Sequence, residues 1–304
     1  MRGARRRVRG AWLRALVPCA FVAASLLASA PASAQTPPAP SLGISPPGAN
    51  DFNCKPPARH PYPVVLVHGT IGDMTYSWNL LSPALKRLGY CVFALDYGNR
   101  ALGPMEVSAQ QIEDFIDKVL TATRAPKVAM VGHSQGGMLP RYLIKFLGGG
   151  SKVDEVVGLV PSNHGTTQPL APLVGDLGCL ACKQQIAGSE VMTQLNAGDE
   201  TPGPIDYTQV TTRYDEVVTP YTSAYLRDDG DPRVTNVTVQ DACALDLFEH
   251  ILFVYDPVAL QWTLNALGRA GPAASGFRPD CLGLALLAFP DSDSTAGASP
   301  QPKR

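Results

Sequence analysis

Val128-Ala129-Met130-Val131 runs directly into Gly132-His133-Ser134-Gln135-Gly136-Gly137, and apolar residues at helical spacing continue to Leu147 before Gly148. A G-x-S-x-G pentapeptide alone is weak evidence. Between a short apolar run and a helical pattern it predicts a serine on a tight strand-to-helix turn. Such a turn lifts Ser134 Oγ clear of the sheet at the strand's C-terminal end. Side chains at Gly132 and Gly136 would collide with the neighbouring strand and helix. The helix N-terminus beside the serine favours developing negative charge. Ser134 is therefore the candidate nucleophile, and the context is that of the elbow in an α/β-hydrolase fold.

The rest of the chain agrees. Val64–Val67, Cys91–Leu95, Val128–Val131 and Val156–Val160 are short continuous apolar runs, as strands buried on both faces require. Tyr207–Tyr214 and Val234–Val239 supply two more strands. Helical patterns alternate with them at Asn79–Leu88, at Val107–Thr123 (Ile112, Phe115, Ile116, Val119 and Leu120, ending by Pro126), at Gly136–Leu147 and at Pro257–Leu267. The alternation predicts a mostly parallel central sheet with helices on both faces. One domain is expected over residues 51–289. Residues 168–204 break the rhythm with a weak helical signal at Val191–Leu195, and read either as a small cap or lid or as an ordinary surface insertion.

Both ends stand apart. Arg2, Arg5, Arg6, Arg7, Arg9 and Arg14 precede the apolar run Ala15–Ala28, and Ala32-Ser33-Ala34 fits an A-x-A cleavage site. Residues 1–34 read as a signal peptide, so the protein is expected to be secreted; a membrane anchor is the competing reading. Residues 35–50 form a Pro-, Ala- and Gly-rich leader, and 290–304 a tail of similar composition expected to be disordered. Losing six arginines and no acidic residue takes the formal charge from −1 to −7. That balance gives no footprint for nucleic acid. Without Cys19 six cysteines remain, an even number in an exported chain, and pairing in chain order gives Cys54–Cys91, Cys179–Cys182 and Cys243–Cys281. Cys179 and Cys182 as half of a metal site lack a second C-x-x-C or a His pair.

Acyl chemistry needs two donors for the oxyanion. Gln135 N–H, next after the nucleophile, supplies one, and Thr70 N–H in His68-Gly69-Thr70, after the first strand, supplies the other. The fold orders its residues as serine, acid, histidine. Of His60, His68, His133, His164 and His250, only His250 leaves room for an intervening acid. Asp215, where the fifth strand runs out, is the acid expected to hold the His250 tautomer; Glu216, Asp241 and Asp246 are the alternatives. Structural support of its loop is the reading for His68, and His133 is expected to pack beside the sheet. Ala171, Leu173, Val174, Leu177 and Ile186 are candidates to line an acyl pocket in the cap.

Leu66-Val67-His68-Gly69-Thr70, Gly132-His133-Ser134-Gln135-Gly136-Gly137, Ser162-Asn163-His164-Gly165-Thr166, Tyr214-Asp215-Glu216-Val217-Val218 and the late His250 with Asp256-Pro257 together resemble bacterial secreted lipases of class 2, of the actinobacterial type. The resemblance covers roughly residues 50–270. It implies ester hydrolysis through Ser134, Asp215 and His250, without a cofactor; no calcium site is carried over from other lipase groups. The substrate it implies is a lipid or small ester, met in solution or at a lipid–water interface, with no nucleic acid and no stable protein partner. An acyltransferase on the same triad, a peptidase and a non-catalytic binding protein of the same fold are the rival readings. A complete Ser–Asp–His set disfavours the binding protein, and the lack of a separate propeller or large cap disfavours the peptidase.

Overall fold

Continuous apolar runs become the strands β1 (Val64–Val67) and β2 (Val92–Leu95), buried at every position. The computed structural model describes residues 43–283; the segments read as signal peptide and tail, and the leader up to residue 42, lie outside the described residues. Between β1 and β2 stand α1 (Met74–Trp78) and α2 (Leu81–Arg87). A left-handed turn, α3 (Gly98–Ala101), and the long α4 (Met105–Thr123) lead to β3 (Val128–His133). The helix α5 (Gln135–Phe146) joins it to β4 (Val153–Leu159). Three short helices follow: α6 (Ala171–Asp176), α7 (Leu180–Gln184) and α8 (Glu190–Asn196). Then come β5 (Asp206–Thr211), β6 (Val234–Thr238), a single turn α9 (Val239–Ala242) and α10 (Pro257–Leu267).

Among the described residues the strands form one six-stranded sheet in the order β2-β1-β3-β4-β5-β6, every neighbouring pair parallel. Alternation along each strand divides the core in two. Val65, Val67, Phe93, Leu95 and Met130 pack with α4 and α5, where Ile112, Ile116 and Val119 form the buried stripe of α4. Val64, Leu66, Val92, Ala94 and Val131 pack with Trp78, Leu81 and Leu85 on one side and with the apolar residues of α10 on the other. Each such side chain taken from water contributes about 1.5–3 kcal/mol. With helices covering both faces, this is an α/β-hydrolase fold.

The strand order puts the site in place. β1 lies between β2 and β3, and the segments leaving β1 and β3 go to opposite faces of the sheet. A crevice therefore opens beyond the carboxyl ends of these two strands. His68 to Gly72 leave from one side of it and Ser134 from the other.

Several elements differ from the sequence reading. The helix expected over Asn79–Leu88 is α2, Leu81–Arg87, and ahead of it stands α1, which the sequence did not suggest, started by Asp73, whose carboxylate accepts from Tyr76 N–H at 2.8 Å. α4 starts at Met105, two residues before the expected Val107, and ends at Thr123 as expected, with Arg124 in the left-handed region. β5 ends at Thr211 rather than Tyr214, so Asp215 lies in the turn beyond the strand. The excursion over residues 168–204 holds three helices of five to seven residues where one weak helical signal was read.

Three disulfides staple this frame. Cys54–Cys91 ties the entry segment to the start of β2, Cys179–Cys182 closes the turn leading into α7, and Cys243–Cys281 joins the segment after β6 to the last described residues.

Candidate active site

Ser134 sits at φ 55°, ψ −124°, a conformation that L-residues avoid and that costs on the order of 1–3 kcal/mol. The surroundings enforce it. Ser134 N–H donates to Leu159 O (2.9 Å), and Ser134 O accepts from Gly137 N–H (3.0 Å). A Cβ at Gly132 would lie 1.9 Å from Gly136 O, and one at Gly136 would lie 2.3 Å from both Val67 O and His68 O. The elbow is thus a point where strand, helix and the neighbouring β1 touch backbone to backbone, and only glycine fits.

Asp215, His250 and Ser134 lie in one hydrogen-bonded row. His250 Nδ1 is 2.9 Å from Asp215 Oδ2, and His250 Nε2 is 2.9 Å from Ser134 Oγ. All three residues are at least nine-tenths buried. Asp215 Oδ1 accepts from Val217 N–H (3.0 Å) and Val218 N–H (2.7 Å), which fix the carboxylate and help satisfy its charge. An acceptor facing Nδ1 places the imidazole proton there and leaves the Nε2 lone pair toward the serine hydroxyl.

The alternative acids fall elsewhere. Glu216 Oε2 accepts from the backbone N–H of His250 (3.3 Å) and does not reach the ring. Asp241 pairs with Arg213. Asp246 Oδ1 accepts from Phe248 N–H (3.0 Å).

Two further histidines support the loops. His133 Nε2–H donates to His250 O (2.9 Å), and burial together with the nearby His250 pushes its pKa down to about 3, so it stays neutral. His68 Nδ1–H donates to Gly69 O (2.8 Å) while its ring stacks on Tyr97 at 4.5 Å. Burial lowers the His68 pKa as well, and Tyr97 Oη–H donates to His68 O (2.6 Å). His164 is outside the row: its ring faces Ser223 O (3.2 Å) and Glu200 Oε1 (3.1 Å).

The loop after β1 is shaped by close packing and by one left-handed residue. Gly69 is needed for close approach: a Cβ there would lie 2.7 Å from His133 Nδ1 and 2.9 Å from Ser134 Cβ. The left-handed residue is Ile71, at φ 66°. For a β-branched side chain that is a genuine outlier. Next to it, Thr70 Oγ1–H donates to Gln135 Oε1 at 2.7 Å, joining the two residues expected to hold the oxyanion. Neither the Thr70 nor the Gln135 backbone N–H donates to another protein group among the described residues.

A cavity of about 330 Å³ opens on Ser134 and His250. Leu170, Ala171, Val174, Val217, Val218 and Ile251 supply much of its apolar wall. Of the residues proposed for an acyl pocket, Ala171 and Val174 line it; Ile186 does not. Leu173 and Leu177 lie on the same helical segment but turn to solvent, 57% and 81% exposed. The sequence reading missed that periodicity because α6 is under two turns long. A second cavity of about 380 Å³ lies across Thr70 and Ile71, among Asp73, Tyr76, Ser77 and Arg100.

A buried polar network behind the site was not foreseen. Arg141 of α5 is 1% exposed and donates to Glu200 O (3.1 Å), Asn163 O (3.2 Å) and Asn196 Oδ1 (2.9 Å). Burial lowers its pKa to about 10, a guanidinium still charged near neutrality. Asn163 Nδ2 donates to Gln209 Oε1 (3.0 Å) and Ala224 O (2.6 Å). The Ser162–Thr166 motif thus anchors the end of the excursion to the sheet. Among the described residues no group of three or more His, Cys, Asp or Glu is placed to hold a metal ion.

The family described as lipase (class 2) matches residues 61–263. A triacylglycerol lipase of Burkholderia plantarii is 29% identical over 139 residues, 44% of this chain and 34% of that protein. One from Pseudarthrobacter phenanthrenivorans is 33% identical over 88 residues, 27% of this chain and 28% of that one. The matches therefore span about a third of the length of these relatives. In structure, Aspergillus fumigatus lipase B superposes with a TM-score of 0.64 at 22% identity, covering 81% of this chain and 59% of its own. The propeptide form of the Bacillus licheniformis lipase BlEst2 gives 0.53 at 17% identity, covering 78% and 55%. These likenesses speak for the shared fold.

Proposed function

Since the chain belongs to the class 2 lipase family, we propose that it is a secreted serine ester hydrolase, a triacylglycerol lipase or carboxylesterase, working through Ser134, His250 and Asp215. The observation that carries this reading is the buried row Asp215–His250–Ser134, set in a strained elbow and opening on an apolar cavity.

In this mechanism His250 Nε2 takes the Ser134 proton as Oγ attacks the ester carbonyl. Asp215 stabilises the imidazolium. The Thr70 and Gln135 N–H groups bind the oxyanion, beside the α5 N-terminus. The tetrahedral intermediate collapses, the alcohol leaves with the proton from His250, and a water activated by His250 hydrolyses the acyl-enzyme. No step calls for a cofactor.

The apolar cavity favours an acyl chain over a polar substituent. Leu170, Leu173, Leu177, Ile71 and Ile251 are each half exposed or more, on α6 or the cavity wall. An apolar rim of this kind suits docking of the cap at a lipid–water interface. Three disulfides fit an oxidising compartment and support the export reading.

The test is hydrolysis of p-nitrophenyl esters from short to long acyl chains by wild type and Ser134→Ala. Turnover by wild type alone is the expected result, and the chain-length profile then separates esterase from lipase. A folded wild type that cleaves none of them overturns the ester assignment.

A further inference from the structure

Gln185 belongs to the cap, at the end of α7, yet its side chain points back to the elbow. It is 7% exposed and every polar atom of its amide is engaged. Ser162 Oγ–H donates to Gln185 Oε1 (2.8 Å). Gln185 Nε2–H donates to Thr70 Oγ1 (3.1 Å) and to Ala181 O (3.2 Å), with Gln135 Oε1 at 3.4 Å. Thr70 Oγ1–H in turn donates to Gln135 Oε1 (2.7 Å). The bonds therefore run in one direction, from Ser162 beyond β4, through the cap, to Thr70 and then to the residue following Ser134. Bonds chained in this way polarise one another and hold a single geometry.

The two side chains at the end of the chain belong to the two residues whose backbone N–H groups are proposed to bind the oxyanion. Thr70 adjoins Ile71, whose left-handed backbone gives the loop an intrinsic tendency to relax away. Gln185 is itself fixed: its carbonyl accepts from Thr166 N–H (2.8 Å), and its N–H donates to Ala181 O (2.9 Å).

We infer that Gln185 is a positioning residue through which the cap sets the oxyanion site: with α7 seated, its amide holds Thr70, and through Thr70 the Gln135 side chain, in the arrangement that stabilises the transition state. The inference rests on the ester-hydrolase reading. It gives the cap a part in the chemical step in addition to enclosing the acyl chain. Gln185 lines the same cavity, but its amide is engaged by Ser162, Thr70 and Ala181, so ground-state binding of the ester falls mainly to the apolar wall.

The experiment is a double-mutant cycle on the full secreted chain with p-nitrophenyl butyrate and p-nitrophenyl palmitate: wild type, Gln185→Ala, Thr70→Val and the double variant. Gln185→Ala is expected to lower kcat about tenfold on both esters with KM within about twofold, because a misaimed donor costs less than a deleted one. If Gln185 acts through the Thr70 hydroxyl, the double variant is no slower than the slower single variant. Gln185→Glu keeps the size of the side chain and loses the N–H donors, so it is expected to show the same kcat loss even where the alanine variant folds poorly. Losses that multiply, an unchanged kcat in Gln185→Glu, or a KM rise that grows with acyl length would each overturn the inference. A wild type inactive on both esters overturns the ester reading instead, so the two failures are distinct.

Discussion

Arg100 clasps Ile71 by both backbone groups: Arg100 O accepts the Ile71 N–H at 2.8 Å, and the Arg100 guanidinium donates to Ile71 O. Both residues are left-handed, Ile71 at φ 66° and Arg100 at φ 59°. Two strained segments thus hold each other, one of them the loop that carries Thr70. Breaking the side-chain half of the clasp lets Ile71 relax toward negative φ and turns Thr70 N–H away from Ser134. Arg100→Ala is expected to lower kcat about tenfold on a short ester, with KM changed less than about threefold. Steady-state kinetics checks this; an unchanged kcat shows that the backbone half of the clasp suffices.

The adjacent carboxylates Asp215 and Glu216 allow a sharp comparison. Asp215 accepts from the His250 ring and Glu216 from the His250 backbone. In Asp215→Asn the remaining oxygen stays with the Val217 and Val218 N–H groups and the NH2 faces His250 Nδ1, which favours the wrong tautomer and is expected to cut kcat by about 10³–10⁴. Glu216→Gln keeps an oxygen for His250 N–H and is expected to stay within about tenfold of wild type. A reversed ranking would reassign the acid.

Much of this was legible because parallel strands buried on both faces must read as continuous apolar runs, and because an elbow needs glycine where backbones touch. Val64–Val67, Cys91–Leu95 and Val128–Val131 were readable on the first ground and the Ser134 elbow on the second, while the fold's serine–acid–histidine order left His250 as the base and Asp215 as the favoured acid, with Glu216, Asp241 and Asp246 open. What the sequence hid is what tertiary contacts impose against local preference. Ile71 and Arg100 are residues that no propensity places in the left-handed region. The helices of residues 168–204 are too short to show a period. Gln185 and Arg141 carry no motif, and they acquire meaning only when chain segments some 50 to 115 residues apart are brought together. The one usable signal was the Ser162–Thr166 motif, whose asparagine and serine turn out to anchor these networks.

Cys243–Cys281 brackets the segment that carries His250. Closing a loop of 38 residues stabilises by about 4 kcal/mol when the effect is loop entropy. The double variant Cys243→Ser/Cys281→Ser is expected to lose most of that, with Tm falling by several degrees, while Cys179→Ser/Cys182→Ser loses less than half as much because its loop is tiny. Thermal unfolding of the two double variants, followed by circular dichroism, measures the difference. Equal losses would mean that neither effect is set by loop entropy.

Asp256 gives a pH dependence of opposite sign to that of His133. It is fully buried at the start of α10, where Oδ1 accepts from Val258 N–H (2.7 Å). Burial, with the charge of Asp246, pushes its pKa up to about 8 from the ordinary 3.8. The unfolded chain releases this proton first, so stability is fully present near pH 4 and lost as pH rises toward 8. His133, pushed down to about 3, contributes the reverse: stability lost as pH falls from 6.5 toward 3. Between pH 6.5 and 8 only the Asp256 effect of this pair remains. Asp256→Asn keeps the cap to Val258 and cannot ionise. Its Tm is expected to match wild type near pH 4 and exceed it by several degrees at pH 8.5, tested by thermal melts across that range. A variant that falls below wild type at pH 8.5 would show that the ionised Asp256 carboxylate is stabilised there by a partner.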